Sequence, residues 1–368
     1  MNKHVSIEPF PPWEFIKEEL NERNWTQDDL ADVMGCSRQH VNRLLKGITS
    51  ITPKSANELA AAFGTSAELW MNLQISYELS KAKVDDDNIA KRAKIYNEYP
   101  IRDLVKRGWI EKPSDVVDLE KSLCKLLNVS DLTETPQLAV AARKSTPYDS
   151  HTGSQWLWYN YARKMAAHVS AYQFKQAKFE KGLSEITSLA AYPEGVRQVP
   201  KYLAELGVRL VILKHIPSTK IDGAALWLGS KSPVVALSLR YDRIDNFWFT
   251  LMHELVHIKY GHVAPVDEDL SGNEESDIEK QANEEAANYL IPKEKLDSFI
   301  SRHGKLIYQK NVIRFANARG VHPAIVVGQL KHRKKLPPTH LNKLQAKIRE
   351  HIVGYALTDG WGDSPLAK

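Results

Sequence analysis

Cysteine is nearly absent from this chain: there are two, Cys36 and Cys124, far apart in sequence. That excludes a disulfide framework and makes a reducing cytoplasm the expected setting. Long apolar runs are also missing. None approaches the roughly 18–20 residues needed to cross a bilayer, so no membrane association is expected. The opening residues, Met1-Asn2-Lys3-His4-Val5-Ser6, lack the apolar core of a signal peptide. Strong charge imbalance is absent too, since the net charge is only +5 over 368 residues. The distribution of charge therefore matters more than its total. What remains is a composition of 43% hydrophobic and 26% charged residues, that of a globular chain long enough for two or three domains.

The first segment, 11–81, reads as short helices separated by strong punctuation. Pro12-Trp13-Glu14-Phe15-Ile16 opens one helix. Thr26-Gln27-Asp28-Asp29 looks like a cap with an acidic third position, and the helix it starts stops at Gly35. Ser37 caps the next helix, which Gly47 ends. Thr52-Pro53 and Ser66 open two more. Two short helices joined through Met34-Gly35-Cys36-Ser37 form the helix-turn-helix arrangement. In the second of them Val41, Leu44 and Leu45 are expected to face the core, leaving Arg38, Gln39, Asn42 and Arg43 outside. Arg, Gln and Asn are the side chains that pair with base edges. Between Ser37 and Lys54 there are basic residues and no acidic one, as a phosphate-facing surface requires. An ordinary helical bundle with a solvated basic face would show the same spacing.

Residues 11–81 resemble the XRE (Cro/CI-type) helix-turn-helix family, and within it the HigA/VapI-type antitoxins. The residues that carry the likeness are Trp25-Thr26-Gln27-Asp28-Asp29-Leu30-Ala31 and Gly35-Cys36-Ser37-Arg38-Gln39-His40-Val41-Asn42-Arg43-Leu44-Leu45-Lys46-Gly47. It continues through Ile51-Thr52-Pro53 and Gly64-Thr65-Ser66 to Leu69-Trp70-Met71-Asn72-Leu73-Gln74. The resemblance implies binding to double-stranded DNA as a homodimer on an inverted-repeat operator. It places Gln27, Ser37, Arg38, Gln39, Asn42 and Arg43 at the DNA.

Residues 88–135 read as a helical connector that could also serve as a dimer surface, and 133–149 as a polar linker. Residues 150–198 are aromatic-rich and helical: Trp156, Trp158, Tyr159 and Tyr161 form a face expected to pack against a neighbour rather than to bind single-stranded nucleic acid. From 199 to 335 the pattern changes. Runs at 208–213, 223–228 and 233–239 read as a small sheet, the last two forming a hairpin across Gly229-Ser230-Lys231-Ser232. Residues 336–368 read as a C-terminal tail.

After the sheet comes Phe249-Thr250-Leu251-Met252-His253-Glu254-Leu255-Val256-His257, an H-E-x-x-H pattern in an apolar run. On a helix, His253 and His257 project from one face one turn apart, the spacing two imidazoles need to grip one Zn²⁺. Glu254 lies beside them as a candidate general base. A third ligand is needed, and two residues could supply it. His262 follows the motif but misses the metzincin spacing by one residue. Glu279 lies on a second expected helix, with Asn283 four residues on and able to hydrogen-bond a ligating histidine. Glu274, Glu275, Glu284 and Glu285 read as solvated charges. His262, Tyr260 and Arg243 are the candidates for stabilising an oxyanion.

Here a second resemblance enters. Residues 200–295 are similar to the ImmA/IrrE metallopeptidases. The likeness is carried by Gly223-Ala224, by the H-E-x-x-H stretch, and by the block Glu279, Ala282-Asn283, Ala286 and Leu290-Ile291-Pro292. It implies one zinc per chain on His253, His257 and Glu279, with Glu254 as general base. One departure is Glu285, where members often carry Phe.

The expected fold is thus mainly α with a small β-sheet (α+β): an N-terminal all-α helix-turn-helix domain and a C-terminal zincin-like domain. The expected function is a transcriptional regulator of the antitoxin or repressor type, carrying a peptidase that cleaves a regulatory protein, with a toxin or repressor as partner or substrate. The rival expectation keeps the DNA-binding regulator and makes the zincin-like part a non-catalytic sensor, dimerisation or toxin-binding module.

Overall fold

The computed structural model describes residues 10–82, 86–134, 140–144, 152–217, 219–261, 277–304 and 306–361. The chain divides into two compact units, Met1–Ile89 and Ala90–Lys368.

The first unit is five helices: α1 (Pro12–Arg23), α2 (Gln27–Met34), α3 (Arg38–Leu45), α4 (Pro53–Phe63) and α5 (Ala67–Lys81). Their boundaries follow the local chemistry. Thr26 and Asp29 form a reciprocal capping box on α2, and Thr52 and Ser55 form one on α4. Gly35 adopts φ 61° after α2, a left-handed turn that glycine takes without steric cost. Gly47 is constrained twice: its φ is 65°, and a Cβ there would fall 2.4 Å from the Trp13 ring. Leu30, Val41, Leu44, Leu59 and Trp70 close a core that belongs to this unit alone. Inside it Gln74 accepts the Ile51 amide at 3.0 Å, satisfying a buried backbone donor.

The second unit continues with α6 (Asp86–Glu98), α7 (Ile101–Lys106), α8 (Val116–Leu127), β1 (Val140–Lys144), α9 (Gly153–Ala166), α10 (Gln176–Glu185) and α11 (Val199–Glu205). Then come β2 (Arg209–Leu213), β3 (Ile221–Trp227), β4 (Pro233–Leu237), α12 (Ile244–Tyr260) and α13 (Asp277–Leu290). The unit ends with α14 (Lys293–His303), α15 (Gln309–Arg319), α16 (Pro323–His332), α17 (Arg349–Ile352) and β5 (Leu357–Asp359).

The strands form one five-stranded sheet in the order β1-β3-β4-β2-β5. The β1–β3 and β3–β4 pairs are antiparallel, and the β4–β2 and β2–β5 pairs are parallel. The three inner strands are buried on both faces, which is why they read as unbroken apolar runs. Alternation then divides their side chains. Val211, Leu213, Ala224, Leu226, Val234 and Ala236 face a cluster built by α7, α8 and α9. Leu210, Ile212, Ala225, Val235 and Leu237 face another built by α12 and the later helices.

This layout corrects three expectations. Residues 88–135 are not a free connector: Leu104, Trp109, Leu119 and Leu123 are buried in the sheet's first core. The stretch read as a linker contains β1, whose backbone extends the sheet beyond β3. The stretch read as a tail supplies β5, pairs with β2, and buries Ile348 and Ile352 in the second core. A buried acid secures it: Asp359 accepts hydrogen bonds from Tyr161 at 2.9 Å and from Trp109 Nε1 at 3.4 Å. The aromatic segment packs as expected, with Trp158, Tyr159 and Tyr161 fully enclosed. Trp109 and Tyr161 stack at 3.9 Å.

Candidate metal centre and DNA-reading helix

Helix α12 runs through the H-E-x-x-H stretch with no break, because its interior holds neither Gly nor Pro and its C-terminus meets Gly261 at φ 62°. It lies on the sheet, so His253, Glu254 and His257 are all fully buried. The two Nε2 atoms are 3.0 Å apart. From α13, Glu279 brings Oε2 to 3.2 Å from His253 Nε2 and Oε1 to 3.5 Å from His257 Nε2. Among the described residues these three are the one His/Cys/Asp/Glu group that could hold a metal ion.

The donor set fits zinc on its geometry. Donors about 2.0–2.1 Å from a tetrahedral ion are separated by roughly 3.3–3.4 Å. The histidine nitrogens 3.0 Å apart, and one Glu279 oxygen near each of them at 3.2 and 3.5 Å, lie around that edge. The fourth corner lies opposite the protein donors, and Glu279 is the one member with side-chain exposure, at 13%.

Two features at the site were not legible beforehand. Gly223 lies on β3 directly under α12. A Cβ there would meet Thr250 Cγ2 at 2.7 Å and Glu254 Oε1 at 2.9 Å. The glycine therefore makes the room in which the Glu254 carboxylate sits. The second is an ion pair from Lys259 on α12 to Glu285 on α13. Both side chains are about four-fifths buried, and the ammonium also lies 4.8 Å from the Tyr260 ring and 5.6 Å from that of Tyr289. Burial disfavours the Lys259 cation, but hydrogen bonds to Glu285, Tyr260 and Tyr289 outweigh it and hold its pKa above the ordinary lysine value. Glu285 is therefore not a solvated charge. It ties the helix of Glu279 to the helix of the histidines.

The remaining candidates fall as follows. Asn283 is half-buried, one turn beyond Glu279 on α13. Arg243 caps the far end of α12 and pairs with Asp245. Ten residues before His253, it is about 15 Å away along the axis and cannot serve an oxyanion there. Tyr260 is exposed at the other end of α12, and its hydroxyl accepts from Lys259 at 3.4 Å. His262, Glu274 and Glu275 lie outside the described residues. Glu284 is exposed.

In the first unit, α3 buries Val41, Leu44 and Leu45, as its spacing predicts. Gln39 and Arg43 are exposed, and Asn42 and Gln27 are half-exposed. Ser37 accepts the His40 amide at 3.2 Å, so its hydroxyl holds the start of the helix. Arg38 is exposed and pairs with Asp28 of α2 at 3.1 Å. A pair this exposed contributes little stability and leaves the guanidinium ready for exchange to another anion.

Comparison with known proteins agrees with both units. Residues 16–70 match the helix-turn-helix family, and 204–327 match the IrrE N-terminal-like domain. Among curated proteins, the uncharacterised HTH-type transcriptional regulator YddM of Escherichia coli (strain K12) is 33% identical over 72 residues, which is 20% of this chain and 77% of that one. Virulence-associated protein I of Dichelobacter nodosus is 30% identical over 79 residues, 21% of this chain and 73% of that one. Among solved structures, an addiction module antidote protein of a HigA family from Coxiella burnetii shares 32% identity over 25% of this chain and 97% of its own, at a TM-score of 0.20. With its capped recognition helix and the relatives that share it, the chain belongs to the helix-turn-helix transcriptional regulators, and joins to that head an IrrE N-terminal-like domain.

Proposed function

We propose that this chain is a DNA-binding regulator of the antitoxin or repressor type whose second unit is a zinc metallopeptidase acting on a regulatory protein. The observation that carries the reading is the convergence of His253, His257 and Glu279 next to a fully buried Glu254. His253, His257 and Glu279 would hold one zinc per chain, with Asn283 orienting a ligating histidine. When bound, zinc polarises the scissile carbonyl and acidifies the attacking water. Glu254 takes the proton of that water and returns it to the leaving amine. The space above Gly223 keeps Glu254 aimed along α12.

On the DNA side, Gln39, Asn42 and Arg43 read base edges while Arg38 and Gln27 contact the duplex. A homodimer on an inverted repeat and a toxin or repressor partner belong to the same proposal. Zinc should be present at one per chain in wild type and in Glu254→Gln, and lost in His257→Ala; equal metal in all three sinks the site. Zinc-loaded wild type should cut a repressor or toxin encoded beside it, and Glu254→Gln should not. If both leave every such protein intact while binding zinc, the unit is a sensor and not a peptidase. Arg43→Ala should weaken operator binding about 10-fold or more, as one lost bidentate contact implies.

A further inference from the structure

A cavity of about 860 Å³ lies in the second unit between α12, α13 and α16. It shares helices α12 and α13 with the metal centre, although none of His253, His257 and Glu279 lines it. Phe249 and Asn246 line it from α12, at four and seven residues before His253 and so on the same face. The Phe249 ring lies 6.4 Å from that of His253. From α13, Asn283 and Ala287 line it, one and two turns beyond Glu279. A chain held at the metal centre therefore has this cavity beside it.

Five basic and four acidic side chains line the cavity; Asp277 pairs with Lys280, and Arg333 pairs with Asp297. Asp245 is paired with Arg243, and Glu285 with Lys259. Lys331 of α16 lines the cavity beside Arg243 and, among the described residues, has no carboxylate within ion-pair distance; its ammonium donates to the neutral Asn342 side chain. Burial first, and then the Arg243 charge, push the Lys331 pKa below the ordinary lysine value, against a smaller opposing effect of Asp245. An anion at this spot would relieve both effects. Next to it, Gln329 is 7% exposed, and its Oε1 has no partner among the described residues while its Nε2 donates to the Ala287 carbonyl at 2.8 Å. That oxygen is an acceptor waiting for an N–H.

We propose that this cavity takes an acidic side chain of the polypeptide cut at the metal centre, its carboxylate held by Lys331 and an adjacent N–H by Gln329. The inference rests on the peptidase reading for its substrate but not for the site itself, and two measurements keep them apart. The first is ligand-observed NMR on the chelator-treated full chain, with N-acetyl-glutamate amide and N-acetyl-glutamine amide as probes. The glutamate probe should bind saturably, about 10-fold more tightly than the glutamine probe, and lose that advantage in Lys331→Met. Equal binding of the two probes, no binding, or an unchanged preference in Lys331→Met overturns the proposal. The second is digestion of a peptide library by the zinc-loaded chain. Asp and Glu should be enriched at one position about four to five residues from the cut, the reach of an extended chain over about 15 Å, and the enrichment should vanish in Lys331→Met. Cleavage without acidic enrichment overturns the proposal. Selective binding of the glutamate probe with no cleavage upholds the cavity and removes the peptidase reading alone.

Discussion

A methyl group on residue 223 would have nowhere to go. It would press on Thr250 and on the carboxylate of Glu254 from the strand beneath. Gly223→Ala should therefore shift the Glu254 carboxylate, the proposed general base, and leave His253, His257 and Glu279 in place. We expect turnover to fall about 100-fold, as a displacement near 1 Å does for a positioned catalytic group, with zinc still at one per chain. Kinetics and metal analysis on the same sample check this; a parallel loss of zinc would mean that the whole helix moves. That His253, His257 and Glu279 come together could be read from the chain because the signals for it are local. His253 and His257 are one helical turn apart, and Glu279 announces itself by sharing a helix face with Asn283. Gly223 could be listed as part of a resemblance, but its reason could not, since that needs the distance between a strand and a helix some 30 residues later in the chain.

At the scale of elements, the spacing of α12 and α13 fixes the centre, and Lys259–Glu285 holds that spacing. Lys259→Met leaves Glu285 partly buried without its cation. Zinc affinity should drop about 10-fold, in line with the loss of other groups that support metal ligands, and thermal stability should fall by about 1–2 kcal/mol. The charge-swapped double variant, Lys259→Glu with Glu285→Lys, should recover part of both; recovery of neither would show that the pair is incidental. Helix α16 carries a pH dependence. His322 stands at its N-cap and accepts the Ala324 amide at Nδ1, 3.2 Å away. Burial lowers the His322 pKa from 6.5, against smaller opposing effects of Asp245 and Glu194. The unfolded chain thus binds the proton first. Stability from His322 is complete above pH 6.5 and is lost as pH falls from there through its folded value. Unfolding of the metal-free protein at pH 7.5 and 5.5 should show this loss in wild type and less of it in His322→Asn, which keeps a capping oxygen. Most helix ends of the first unit were predictable, since α2 to α5 each begin on a side-chain cap, Thr26, Ser37, Thr52 and Ser66, and α2 and α4 end on Gly35 and Gly64. The edge strands were not. Val140–Lys144 and Leu357–Asp359 become strands by pairing with β3 and β2, partners that lie far away in the chain, and neither carries a strand signal strong enough to stand alone.

At the scale of the whole molecule, each unit has a core of its own. Calorimetry of the full chain should resolve two transitions, and chelation should lower only the one that belongs to the second unit. A single transition that moves as a whole on chelation would contradict separate cores. Within the second unit, the acid of the last strand should matter out of proportion to its position. Asp359→Ala leaves the Tyr161 hydroxyl buried without its acceptor. That should cost about 1–3 kcal/mol, read as a lower melting temperature of the zinc-site transition and no change in operator affinity.

The placement of β5 also sets an order in time. The sheet under the metal centre is not complete until Leu357–Asp359 has been added beside β2, whereas the DNA-reading helices are all encoded before residue 82. At a synthesis rate of about 5–20 residues per second, the head emerges roughly a quarter of a minute to a minute before the last strand. Newly made chains are thus expected to pass through a stage with a finished operator-binding head and an unfinished metal-site unit, which protease protection of arrested nascent chains would reveal. During that stage a growing chain has a complete core in its first unit but lacks the last strand of the sheet beneath His253 and His257.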